Sequence, residues 1–213
     1  MPVPAIKICG VSTAEALDAA IRARADFIGF NFFPPSPRYL NPRHAAALKD
    51  RAAGKVTRVG VFVDANDGEI GEAILAAGLE VLQLHGEETP ERAARLGAQF
   101  GLPVWKVIAV ASAADVGRAA AYRDAAQFIL FDAKTPKGTL PGGMGLSFDW
   151  SLLAGGESAL PWGLAGGLTP ANVAAAIRAT GAPLVDTSSG VESAPGVKDL
   201  DRIAAFCAAA RSA

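Results

Sequence analysis

The stretch AIKICG at residues 5–10 decides the fold, because it has the form of a short buried strand that leads directly into a helical pattern. Its two isoleucines alternate with Lys7 and Cys9, as expected for a strand whose two faces meet different surroundings. The helical pattern that follows covers residues 13–23 and begins at hydroxyl residues that can cap a helix. The same unit of strand and Ala-rich helix recurs along the chain.

The recurring unit predicts eight strands and eight helices. We place the strands at 5–9, 27–31, 58–63, 81–85, 104–108, 127–132, 161–165 and 184–186. We place the helices at 13–23, 42–53, 67–77, 90–100, 113–123, 148–153, 169–180 and 199–210. Eight such units predict an α/β fold, a single-domain (β/α)8 TIM barrel over residues 1–213, although an open doubly wound sheet shares much of this pattern. The short length favours the barrel.

Composition narrows the range of partners. The net charge of −1 and the pI near 6.1 provide no basic field for nucleic acid, so we expect a small-molecule ligand. Hydrophobic residues make up 51% of the chain but occur in short runs, which argues against a membrane span. The start of the sequence has no signal-like segment, which predicts a cytoplasmic protein. The two cysteines lack metal-ligand spacing, and we expect no metal site.

In a barrel of this kind the chemistry belongs to the loops that follow the strands. Cys9 ends the first strand and Asp132 ends the sixth, so we expect them to face each other across one pocket as base and acid. Lys7 points the same way as Cys9 and needs a partner inside the barrel, for which Asp186 on the neighbouring eighth strand is the candidate. We also expect Lys7 to favour the thiolate form of Cys9.

Other strand ends supply candidate substrate contacts. Arg38, in a proline-rich loop, suits a bidentate contact with a carboxylate. His85, on the inner face of the fourth strand, is either a substrate contact or a rim histidine. Glycine-bearing turns follow the last two strands and are typical of a phosphate site, with residues Gly166, Gly167, Ser188, Ser189 and Gly190. The long loop at 135–145, with its glycines at 142–145, is a candidate lid.

Several of these pieces occur in one order: KICG at 7–10, PRY at 37–39, QLHG at 83–86, FDW at 148–150, GGL at 166–168 and the segment 186–192. With them the chain resembles the phosphoribosylanthranilate isomerase family over its whole length. The resemblance implies a cofactor-free (β/α)8 barrel that carries out an Amadori rearrangement in tryptophan biosynthesis. It further implies Cys9 as general base, Asp132 as general acid and Arg38 as the contact of the anthranilate carboxylate. The phosphate would bind at Gly166, Gly167, Ser189 and Gly190.

Two other readings stay open. The related isomerase of histidine biosynthesis, or a bifunctional version of it, shares the phosphate turns but has aspartate where Cys9 stands. A phosphate-ligand binding barrel without catalysis is the second, and an acid and a base at opposed strand ends argue against it. We expect a phosphorylated small molecule as substrate, with no nucleic acid and no membrane as partner. A monomer and a homodimer both fit the sequence.

Overall fold

The eight strands of the main sheet are all parallel, and each pairs with the next along the chain. The structure, a computed structural model, describes residues 3–135, 142, 145–154, 158 and 160–213. β1 also pairs with β8, with Lys7 opposite Asp186, so the sheet closes into a (β/α)8 barrel and is not an open sheet. The strands are β1 (Ala5–Cys9), β2 (Phe27–Asn31), β3 (Thr57–Phe62), β4 (Val81–Leu84), β5 (Val104–Val110), β6 (Phe128–Ala133), β7 (Trp162–Leu164) and β8 (Leu184–Thr187).

The helices lie between the strands and begin where the sequence provides caps. Thr13 Oγ1 accepts a hydrogen bond from Ala16 N, and Thr89 caps the helix that starts with Pro90. The described α-helices are α1 (Ala14–Arg22), α2 (Pro42–Ala52), α3 (Asp67–Ala77), α4 (Pro90–Phe100), α5 (Ala113–Gly117), α6 (Val173–Thr180) and α7 (Leu200–Arg211). None of these helices combines the length and apolar character that a membrane crossing requires.

Three predicted helices are wrong in part. The segment predicted as a helix at 113–123 divides at Gly117 into α5 and a 3-10 turn, consistent with the weak helix propensity of glycine. The helix predicted at 148–153 is only a 3-10 turn over Trp150–Leu153. α6 starts later than predicted, because the Asn172 side chain bonds Thr169 N and Gly167 O and holds the preceding residues in a turn.

The sequence reading also missed a short hairpin after β8. Its two strands are β9 (Glu192–Ala194) and β10 (Val197–Lys198), which pair antiparallel. The segment ESAPGVK at 192–198 has only two apolar side chains, so hydrophobic alternation does not reveal these strands. This hairpin brings the charged side chains of Glu192 and Lys198 to the end of the barrel.

The core has two parts, which explains where the open space lies. Outward strand residues such as Ile6 and Ile8 pack with the helices. Inside the barrel a smaller cluster centres on Trp105, whose ring lies between Phe27 and Phe128, at centroid distances of 4.9 and 4.6 Å. These aromatic rings sit toward the amino-terminal ends of their strands and fill that end of the barrel. Space is left at the carboxyl ends.

Candidate active site

A cavity of about 600 Å³ opens at the carboxyl ends of the strands. It is lined from both halves of the chain, which follows from the closure of β1 against β8. The cavity is large enough for a small phosphorylated molecule. All the sequence-predicted site residues line it: Cys9, Arg38, His85, Asp132, Gly166, Gly167, Asp186, Ser188, Ser189 and Gly190.

Lys7 lies beneath the cavity and is fully buried. Its Nζ donates to Asp186 Oδ2 at 2.9 Å, which confirms the predicted ion pair between the first and last strands of the barrel. Asp186 Oδ1 is buried and has no hydrogen-bond partner among the described residues. Asp186 therefore presents an acceptor oxygen in a cavity wall while its other oxygen is held by Lys7.

The pKa of the Cys9 thiol is higher than the sequence predicts. Burial raises the pKa of Cys9, and the Lys7 ammonium opposes this only in part. The nearby Asp186 carboxylate also raises the pKa of Cys9, whereas Lys198 lowers it. Lys7 shifts Cys9 toward thiolate, as predicted, but burial outweighs this effect, and the resting side chain is a neutral thiol.

Asp132 reaches the cavity from the end of β6 and contacts the histidine at the end of β4. Its Oδ2 lies 3.3 Å from His85 Nε2, and its Oδ1 accepts from Ala133 N at 2.8 Å. His85 N in turn donates to Phe62 O at 2.8 Å, which fixes the histidine backbone against β3. A carboxyl group and an imidazole are thus held together in one wall of the cavity.

Arg38 lies in the loop after β2 and is only 8% exposed. Its Nε and Nη2 donate to the two oxygens of Glu192, each at 2.8 Å. The sequence reading did not single out Glu192 or Lys198, which donates to Glu192 Oε1 at 2.7 Å. No local signal could have found this contact, because Arg38 and Glu192 are 154 residues apart and Glu192 sits in the unpredicted hairpin.

The two glycine-bearing turns abut each other beside Cys9. Gly166 has φ of +88°, a conformation that favours glycine. A side-chain carbon at Gly190 would lie 1.9 Å from Leu168 O, so the second turn approaches the first more closely than any larger residue permits. Ser188 Oγ donates to Cys9 O at 3.1 Å and ties the second turn to the end of β1.

Two further expectations concern the cavity. Most of the candidate lid at 135–145 lies outside the described residues. The described residues of this loop, Thr135, Gly142 and Gly145, line the cavity. Within the described part of the chain, no three His, Cys, Asp or Glu side chains are grouped so that they could hold a metal ion.

A closed (β/α)8 barrel with ionisable side chains in a cavity at the carboxyl ends of its strands is the arrangement of a barrel enzyme. The family model described as N-(5'phosphoribosyl)anthranilate (PRA) isomerase matches residues 6–209. The chain belongs to this family.

Relatives and solved structures agree with this family. The chain is 55% identical to the N-(5'-phosphoribosyl)anthranilate isomerase of Paramagnetospirillum magneticum, over 99% of this chain and 98% of the relative. It is similar to the phosphoribosyl anthranilate isomerase structure from Thermotoga maritima, with a TM-score of 0.88, 36% identity and coverage of 99% and 100% of the two chains. Another such isomerase was solved with reduced 1-(o-carboxyphenylamino)-1-deoxyribulose 5-phosphate, with a TM-score of 0.86, 34% identity and the same coverage.

Proposed function

We propose that this chain converts N-(5-phosphoribosyl)anthranilate to 1-(2-carboxyphenylamino)-1-deoxyribulose 5-phosphate, a step of tryptophan biosynthesis. Family membership and the ligand of the solved relative support the substrate. The observation that carries the proposal is that Cys9 and Asp132 line the same cavity as the two glycine-bearing turns. An Amadori rearrangement of a sugar phosphate requires a base, an acid and a binding site for the phosphate group.

In the proposed reaction Asp132 is the general acid and Cys9 the general base. Asp132 gives its proton to the ribose ring oxygen as the bond from that oxygen to C1 breaks, which leaves a protonated Schiff base between C1 and the anthranilate nitrogen. Cys9, as thiolate, removes the proton from C2, and the electron pair moves to the nitrogen to give an enolamine. Protonation of C1 and loss of the proton from the C2 hydroxyl then produce the ketone, so the substrate is isomerised with no net gain or loss of protons or electrons.

The remaining candidate residues are assigned to substrate binding. Backbone N–H groups of the turns at Gly166–Gly167 and Ser188–Gly190 suit the phosphate, because such turns attract anions without a lysine side chain. The guanidinium of Arg38 suits the anthranilate carboxylate. His85 and the unpartnered Oδ1 of Asp186 are polar groups in the wall where the sugar hydroxyls would lie.

A fluorescence assay that follows the disappearance of phosphoribosylanthranilate tests this function. We expect the wild-type protein to consume the substrate and Asp132→Asn to do so far more slowly. A barrel that only binds phosphate ligands would leave the fluorescence unchanged in both proteins. Turnover of the histidine-pathway aminoaldose in place of phosphoribosylanthranilate would favour the related isomerase instead.

A further inference from the structure

The Glu192 carboxylate is the centre of a buried cluster of charged groups at the cavity rim. Both of its oxygens accept hydrogen bonds from Arg38, and it also accepts from Lys198 Nζ at 2.7 Å and from Gly196 N at 3.2 Å. The Glu192 side chain is 4% exposed and that of Lys198 is 2% exposed. A buried carboxylate with this many donors has one well-defined position.

The same cluster connects two parts of the proposed substrate site. Lys198 Nζ donates to Ser188 O at 2.9 Å and lies 3.2 Å from Ser188 Oγ, in the turn assigned to the phosphate. At the other side, the stem of Arg38 packs on the backbone of Gly10, where a side-chain carbon would lie 2.7 Å from Arg38 Cδ. Arg38 is therefore held by its stem against Gly10 and by its guanidinium against Glu192.

The charges of the cluster suit a ligand that carries a single carboxylate. Arg38 and Lys198 are cations and Glu192 is an anion, so the three groups together have one net positive charge. Burial raises the pKa of Glu192, but the hydrogen bonds and charges of Arg38 and Lys198 outweigh it and hold that pKa below its ordinary value. Glu192 thus stays ionised at neutral pH.

We propose that Glu192 is a positioning residue that fixes the guanidinium of Arg38 and thereby determines selectivity for sugar phosphates that also carry an aromatic carboxylate. This inference rests on the proposed function, which assigns Arg38 to that carboxylate. A planar guanidinium recognises a carboxylate only in a narrow range of orientations. Moving it by the length of one methylene group weakens that contact, whereas the phosphate turn keeps its hydrogen bonds from Lys198 to Ser188 O and from Ser188 to Cys9 O.

A second buried pair of the same type provides a matched control. Glu88 and Lys106 form an ion pair of 2.7 Å and are 5% and 2% exposed. Neither residue is among those lining the cavity, and Lys106 lies on the helix-facing side of β5, since its neighbours Trp105 and Val107 point inward. Shortening Glu88 disturbs a comparable ion pair without touching Arg38.

The experiment compares Glu192→Asp with Glu88→Asp in the full chain. Both variants keep the charge and shorten the side chain. We measure the Kd of reduced 1-(o-carboxyphenylamino)-1-deoxyribulose 5-phosphate and that of ribulose 5-phosphate, which lacks the carboxylate, and take their ratio as the selectivity. We expect Glu192→Asp to weaken the carboxylated ligand about tenfold, or about 1.4 kcal/mol, and to leave ribulose 5-phosphate nearly unchanged. Glu88→Asp should keep the wild-type selectivity.

The result that overturns the inference is a folded Glu192→Asp protein with wild-type selectivity. Equal weakening of both ligands also overturns it, because a purely structural role predicts that outcome. If Glu192→Asp does not fold, Glu192→Gln keeps the side-chain length while removing the bidentate contact, and it must show the same loss of selectivity. Binding is measured without turnover, so a wild-type protein that binds the carboxylated ligand but leaves phosphoribosylanthranilate unchanged would refute the proposed function and not this inference.

Discussion

At the scale of single residues, the chemistry depends on the protonation state of Cys9. Burial raises the pKa of this thiol, and the ammonium of Lys7, which is paired with Asp186, opposes the rise only in part. A thiol can act as a base only after it loses its proton. The active form of the free protein is therefore a minor species at neutral pH.

This protonation state predicts the pH dependence of the reactivity of Cys9. We expect the rate at which iodoacetamide alkylates Cys9 to rise with pH from about pH 7 to above about pH 8.5, the ordinary pKa of a thiol, because the thiolate fraction grows over this range. Mass spectrometry of the alkylated wild-type protein at a series of pH values checks this. A rate that is constant over the same range would contradict a neutral resting thiol at Cys9.

Removal of either reacting group should abolish most of the turnover. Asp132→Asn keeps an oxygen that can accept from Ala133 N but has no proton to give, and Cys9→Ala removes the base. We expect each variant to lose about 10² to 10⁴ in kcat, with little change in thermal stability. Steady-state rates and melting curves measure the two effects separately. Near-normal turnover in a folded variant would contradict the assigned role.

The sequence predicts the position of a residue in the cavity where that residue follows a strand, and does not predict contacts that join distant segments. Cys9, His85 and Asp132 could be placed in one pocket because parallel strands bring their carboxyl ends together. The ion-pair partner of Arg38 could not be predicted, because Glu192 lies in a hairpin without hydrophobic alternation. The direction of the shift in the Cys9 pKa also needed the structure, since it depends mainly on burial of the thiol.

At the scale of elements, the turn after β7 depends on one glycine. Gly166 has φ of +88°, and a side-chain carbon there would lie 2.6 Å from Ala133 N, next to Asp132. The turn could be predicted from its glycines, but its contact with the end of β6 could not. Helices with capping residues, such as α3 and α4, were placed correctly from the sequence, whereas the 3-10 turn at Trp150–Leu153 was not.

Replacing this glycine should impair substrate binding. We expect Gly166→Ala to lower the free energy of unfolding by about 1 to 3 kcal/mol through backbone strain and to raise KM as the turn moves. Gly101→Ala is the control, because Gly101 also has a positive φ, +65°, but a side-chain carbon there meets no atom within 4 Å. Denaturant unfolding and steady-state kinetics compare the variants. An equal change of KM in both would show that strain alone, and not the position of the turn, is responsible.

At the scale of the whole molecule, the barrel depends on the pairing of its first and last strands. The register of β1 and β8 sets Lys7 opposite Asp186, and both side chains are buried inside the barrel. The closed topology could be predicted from eight repeated units. The short hairpin that follows β8 breaks the repeat, and it could not be predicted from the sequence.

Breaking the Lys7–Asp186 pair should destabilise the whole barrel. Lys7→Met leaves a buried carboxylate without its counter-charge, so we expect the free energy of unfolding to fall by about 3 to 5 kcal/mol. The double variant Lys7→Met with Asp186→Leu should recover part of this loss, because it removes the unpaired charge as well. Urea denaturation of the three proteins checks both statements. A double variant less stable than Lys7→Met would contradict them.

The closure of β1 on β8 also has a consequence for biosynthesis. Lys7 leaves the ribosome early, whereas Asp186 and the turn that contacts Cys9 are translated 179 residues later. A nascent chain that holds only the first strands exposes an unmatched ammonium at its sheet edge, which disfavours premature burial of that edge. The pocket around the Cys9 thiol is consequently completed only after β8 has been synthesised, and a ribosome-stalled fragment without β8 would have neither a closed barrel wall nor this pocket.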